Sequence, residues 1–115
     1  MTGAAGTSAE VVGLGRLGTE LLEQAREHHS RRAAHTVVSG QSLRATVIAL
    51  AQGAELAEHD SPPAATLQVI TGRVRLHSAE REWLMEAGDI AQIPPTRHGL
   101  DAVTDAVVLL TVALH

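Results

Sequence analysis

The chain predicts an all-β barrel or sandwich preceded by one amphipathic helix. From Gly15 to about Ser30, Leu14, Leu17, Leu21, Leu22 and Ala25 recur at three- and four-residue spacing, while Glu20, Glu23, Gln24 and Glu27 take the other side. After Arg32 the pattern changes to short β-type runs separated by turn residues. Strands this short and evenly spaced close into a barrel or stack as a sandwich.

Taken in order, the runs are Thr36 to Val38, Leu43 to Leu50, Thr66 to Thr71, Arg73 to His77, Glu82 to Glu86, Ile90 to Ile93 and Ala106 to Leu114. Ser39-Gly40, Gln52-Gly53, Pro62-Pro63, Gly72, Ala87-Gly88-Asp89 and Pro94-Pro95 break the chain between them. Arg73 to His77 alternates cleanly, which places Val74 and Leu76 inward and the charged residues outward. The expected division is a lead and helix over 1–33 and a barrel over 34–115, within a single domain.

Composition narrows the function. At 115 residues the chain holds one core and buries roughly 65% of its unfolded surface. Without cysteine it forms neither a disulfide framework nor a thiolate metal site, so a metal would need His, carboxylate or amide ligands. Trp83 is the only aromatic residue, and single-stranded nucleic acid binding depends on aromatic stacking. The net charge of −4 comes without a basic patch, so no nucleic-acid partner is expected. The first eight residues lack the charge and apolar run of a secretion signal, and no apolar stretch reaches membrane-spanning length; a soluble cytoplasmic protein is expected.

Two motifs are set aside. Gly13-Leu14-Gly15-Arg16-Leu17-Gly18 matches a dinucleotide-binding fingerprint, but only Val11-Val12 precede it, and His35, Thr36 and Val37 stand where a ribose-binding acid belongs. It reads as a glycine-rich helix start. Arg26, His28, His29, Arg31 and Arg32 at the helix end complement the negative end of the macrodipole and need no anion.

The third constellation carries chemistry. Gly53 is followed after five residues by His59-Asp60-Ser61, then after three by Ala65, and after six more by Gly72. Gly88, five residues, Pro94 and then His98 form a second group, fifteen residues beyond Gly72. These groups resemble the two conserved motifs of the cupin superfamily, the first of which runs Gly, five residues, His, one residue, His, three residues, Glu, six residues, Gly. The resemblance covers about Leu43 to Leu114, and the fifteen-residue spacer agrees with small bacterial single-domain members. It implies a double-stranded β-helix, a small jelly-roll barrel, often dimerised through its sheets.

Carried over position by position, the resemblance makes His59 and His98 metal-binding histidines, with Ser61 in place of the second histidine and Ala65 in place of the glutamate. Thr96 stands where the family has glycine, one residue is missing before His98, and Ala102 replaces an asparagine. Glu58 and Asp60 flank His59 on an extended segment and so point the other way, as does Gln68; His35 and Gln92 remain as candidate third ligands. Two imidazoles hold a divalent ion weakly, because zinc and iron sites use about three protein ligands. The expectation is therefore no tightly bound cofactor, or a weakly held Zn, Mn, Fe or Ni, in a degenerate site formed by His59, Ser61, Ala65 and His98. A plainer reading leaves both histidines as satisfied residues of a lined pocket.

Two function classes follow from this. One is a non-catalytic small-molecule-binding module that acts as a homodimer, the apolar runs Val47 to Ala51 and Val107 to Leu114 supplying an interface. The other is a metal-assisted cupin enzyme of oxygenase, isomerase or cyclase type, or one using His59 or His98 as general base.

Overall fold

A computed structural model describes residues 11–59 and 64–114, with Glu58 and His59 described by their backbone alone. Helix α1 (Leu14–Glu27) precedes nine strands: β1 (Arg32–Ser39), β2 (Leu43–Leu50), β3 (Glu55–His59), β4 (Ala64–Thr71), β5 (Arg73–Ser78), β6 (Glu82–Glu86), β7 (Ile90–Gln92), β8 (His98–Ala102) and β9 (Ala106–Ala113). They form a five-stranded sheet in the order β1-β2-β9-β4-β7 and a four-stranded sheet in the order β3-β8-β5-β6. Every pairing is antiparallel.

Alternation decides which side chains meet between the sheets. Ala65, Leu67 and Val69 of β4 point inward, as do Val74 and Leu76 of β5 and Leu100 and Ala102 of β8. With Leu50, Met85, Ile93, Ala106 and Val108 they fill the lumen, and Trp83 packs on them from the side. In the absence of Phe and Tyr, the interior is built from aliphatic and small side chains.

The helix lies outside the lumen. Leu21 and Ala25 of α1 pack on Val47, Ala49 and Val107, the outward residues of β2 and β9. Gly18 permits the close approach: a Cβ there would stand 2.9 Å from Val107 Cγ1. Residues 11–13 form no strand, and α1 leads into an antiparallel pair, so the glycine motif has none of the surroundings of a nucleotide site. Its third glycine serves helix-on-sheet packing.

The cations at the helix end are engaged locally. Arg31 Nη1 donates to the Arg26 carbonyl at 2.9 Å, Arg26 pairs with Asp105 at 2.8 Å, and Arg32 Nη1 donates to the Glu55 carbonyl at 2.8 Å. Asp105 also accepts the Gln52 backbone N–H at 2.7 Å. That bond first, and Arg26 second, hold its carboxyl below the ordinary range. This one side chain ties the helix end to the turn after β2.

The helix also changes the interface expectation. Val47, Ala49, Leu50 and Ala51 are fully buried within the chain, which leaves only Ile48 of the run Val47 to Ala51 partly exposed. Val38, Leu43 and Ile90 on or beside the five-stranded sheet stay exposed, Ile90 by 62%. No helix among the described residues is long and apolar enough to cross a membrane.

Candidate functional site

The site begins with β8. His98 shares its parity with Leu100 and Ala102, which fixes its side chain on the inward face, where it is 5% exposed. Its Nδ1–H donates to the Thr96 carbonyl at 3.0 Å. In the neutral ring this bond leaves the lone pair on Nε2, the arrangement that second-shell carbonyls impose on ligating histidines.

β3 brings the second histidine. Leu56 pairs with Leu100, and His59 pairs with His98. Three steps along β3 thus match two along β8, which is a β-bulge. Regular alternation from Leu56 would have set Glu58 opposite His98; the bulge sets the His59 position there instead.

β5 completes a row that the sequence patterning left unnoticed. Ser78 pairs with His98 on the side away from β3, so His59, His98 and Ser78 occupy adjacent positions across three strands. The signal was available in the alternation Val74, Leu76, Ser78, which extends the inward face of β5 by one more residue.

Ala65 faces the lumen from the other sheet and is buried. Its carbonyl accepts the Ile93 N–H at 2.9 Å, and the Pro94-Pro95 segment runs from there to Thr96, which holds His98. Two rigid prolines thus connect the Ala65 wall to the His98 ring. Ser61 and Asp60 lie outside the described residues.

The candidate third ligands do not join the row. His35 is exposed and pairs with Val47, on the face that α1 covers. Gln92 is exposed and pairs with outward Thr66. Gln68 also takes the outward parity, as the alternation of β4 requires. Ala65 offers a methyl group where a carboxylate would have completed a donor set. Among the described residues, no group of three or more His, Asp or Glu side chains converges on a metal position.

On the outer face of the four-stranded sheet, Arg75 pairs with Asp101 and Glu82, and His77 Nε2 lies 3.4 Å from Asp101. The His77 ring covers Gly99, where a Cβ would come within 2.8 Å of its Cε1. This cluster braces β5 against β8 directly behind His98.

No protein-family model matches the chain, nor does any curated protein. Solved structures do. A conserved protein of unknown function from Streptococcus pyogenes aligns at TM-score 0.71 and 24% identity, covering 93% of this chain and 89% of that one. A cupin-2 domain protein from Shewanella frigidimarina aligns at TM-score 0.71 and 12% identity, over 94% and 99% of the two chains. An RmlC-like cupin from Desulfovibrio desulfuricans aligns at TM-score 0.65 and 20% identity, over 97% of each. The chain therefore has the small bacterial cupin fold, the jelly-roll barrel that its glycine and histidine spacing implies.

Proposed function

We propose that this chain is a small-molecule-binding cupin module whose ligand rests at the end of the lumen against His98, the His59 position, Ser61 and Ala65. One observation carries the reading. A buried imidazole is held by the Thr96 carbonyl in a lumen that is mostly aliphatic among the described residues, with a small alanine on the opposing sheet. A mostly apolar pocket with a few oriented polar groups is the usual form of a small-molecule site. The ligand is largely apolar, with one or two hydrogen-bonding groups for the histidine row.

Divalent metal plays at most a weak part in this reading. Zn, Mn, Fe or Ni would find two imidazoles and no carboxylate at Ala65, which leaves the charge of the cation uncompensated. The module acts as a homodimer, with Val38, Leu43 and Ile90 contributing to the contact. Elemental analysis of protein purified without a His-tag is the test. Near-stoichiometric metal that disappears in His98→Ala would replace this reading with the enzyme reading, which the His59–His98 register supports.

A further inference from the structure

Beside the histidine row, at the same end of the barrel, Ser78, Glu80, Arg81, Trp83, Ile93 and Thr96 line a groove of about 400 Å³. It shares walls with the proposed site. Ser78 is the register partner of His98, Thr96 holds the His98 ring, and Ile93 and Trp83 belong to the lumen packing. The groove is also where the chain's single aromatic residue sits.

Arg81 stands over that ring, its guanidinium carbon 5.0 Å from the Trp83 centroid. Stacking of this kind fixes the direction of a long side chain while leaving its N–H donors open to an acceptor in the groove. Four other arginines are committed to partners outside the groove: Arg26 to Asp105, Arg75 to Asp101 and Glu82, Arg31 and Arg32 to backbone carbonyls. Arg81 makes no ion pair with a carboxylate among the described residues, and it faces a groove with two hydroxyls.

We infer that this groove binds the carboxylate of a small organic monoacid, with Arg81 as its counter-ion, Ser78 and Thr96 as hydroxyl donors, and the acid's apolar body lying along Ile93 toward the lumen. Arginine suits this task because its planar fork matches a carboxylate. Glu80 also lines the groove, so any negative charge beyond the one Arg81 neutralises meets repulsion, which sets monoacids above diacids. The inference rests on the ligand-binding reading above and supplies its ligand class.

Trp83 makes the test direct, since all intrinsic emission comes from this groove. The full chain is titrated with butyrate, 3-hydroxybutyrate, succinate, butyramide and 1-butanol, following Trp83 emission together with the methyl resonances of Ile93, Thr96, Leu67 and Val112. Butyrate and 3-hydroxybutyrate are expected to give saturable changes at Trp83, Ile93 and Thr96, with succinate and butyramide weaker. Arg81→Gln should weaken butyrate by about tenfold, the order expected for a hydrogen bond to a charged group, as read from the Ile93 and Thr96 methyls. Arg97→Gln serves as the control and should leave binding unchanged. Equal response to butyramide and butyrate, or Arg81→Gln binding butyrate as the native chain does, overturns the inference. If 1-butanol alone shifts Leu67 and Val112, the lumen reading stands and the carboxylate inference falls; if no probe shifts any of these resonances, both fall.

Discussion

His59 and His98 stand opposite one another across β3 and β8 because β3 carries one more residue than β8 between that pair and the pair Leu56–Leu100. The bulge is what turns a buried histidine into a candidate two-histidine site. Regular pleating would have placed Glu58 opposite His98 instead.

The register makes the metal question sharp. The His59 and His98 positions are register partners, and buried Ala65 stands where the motif resemblance leads one to expect a carboxylate. Native protein is expected to bind Zn, Mn, Fe and Ni no tighter than micromolar by calorimetric titration. Ala65→Glu with Ser61→His should tighten Zn on the order of a hundredfold by completing the ligand count. Sub-micromolar binding by the native chain that disappears in His59→Ala would show that a further residue completes the site.

Most of the fold was legible in the sequence, and the reason lies in particular elements. Leu43 to Leu50 coincides with β2 because Thr46, Val47 and Ile48 sit in an apolar run between turn residues, and Glu82 to Glu86 coincides with β6 because the apolar Trp83-Leu84-Met85 is bounded by Glu on each side and followed by Ala87-Gly88-Asp89. The α1 face was legible from its 3.6-residue period. The strands absent from the patterning are β3 and β8, which carry the two histidines. Glu-Leu-Ala-Glu-His and His-Gly-Leu-Asp-Ala are poor in β-branched residues, and tertiary pairing rather than propensity makes them strands. Motif spacing located the histidines; the bulge, a property of pairing, left no mark in the sequence.

The glycines of the set-aside nucleotide motif make opposite predictions. A Cβ on Gly15 meets nothing within 4 Å, so Gly15→Ala should stabilise the chain by up to about 1 kcal/mol through helix propensity. A Cβ on Gly18 would stand 2.9 Å from a methyl group of buried Val107. Overpacking of about 1–3 kcal/mol then outweighs the propensity gain, and Gly18→Ala should lower stability in urea. Similar shifts for the two variants would mean that α1 does not rest on β9 as described.

Gly99 tests the brace behind His98. A Cβ there would lie 2.8 Å from His77 Cε1 and 3.0 Å from the Leu56 carbonyl, the residue at which the bulge begins. Gly99→Ala is expected to cost about 1–3 kcal/mol. Adding His77→Ala should recover only part of this, because the backbone carbonyl cannot withdraw as a ring can. Full recovery would locate the strain in His77 alone and detach Gly99 from the β3 register.

Light scattering at micromolar concentration tests the dimer. Because α1 covers Val47, Ala49 and Val107, the proposed contact uses what remains exposed on the five-stranded sheet. Leu43→Glu with Ile90→Glu should then give a monomer without loss of fold, as both side chains are exposed in the single chain. A native chain that already scatters as a monomer removes the dimer from the proposed function.

Asp105 makes stability pH-dependent in a calculable direction. Its carboxyl lies below the ordinary range because the Gln52 N–H and then Arg26 favour the ionised form, with Arg31 adding a smaller attraction. A depressed folded-state value means that the contribution is fully present above the unfolded carboxylate range, about pH 4, and fades as pH falls below it toward the folded value. Asp105→Asn keeps an acceptor for Gln52 but gives up the charge facing Arg26. The variant should therefore unfold at lower urea than the native chain at pH 7, and the gap should narrow steadily below about pH 4. A gap that stays constant from pH 7 to pH 3 would mean that Asp105 acts through hydrogen-bond geometry alone and that its ionisation contributes nothing to holding α1 on the barrel.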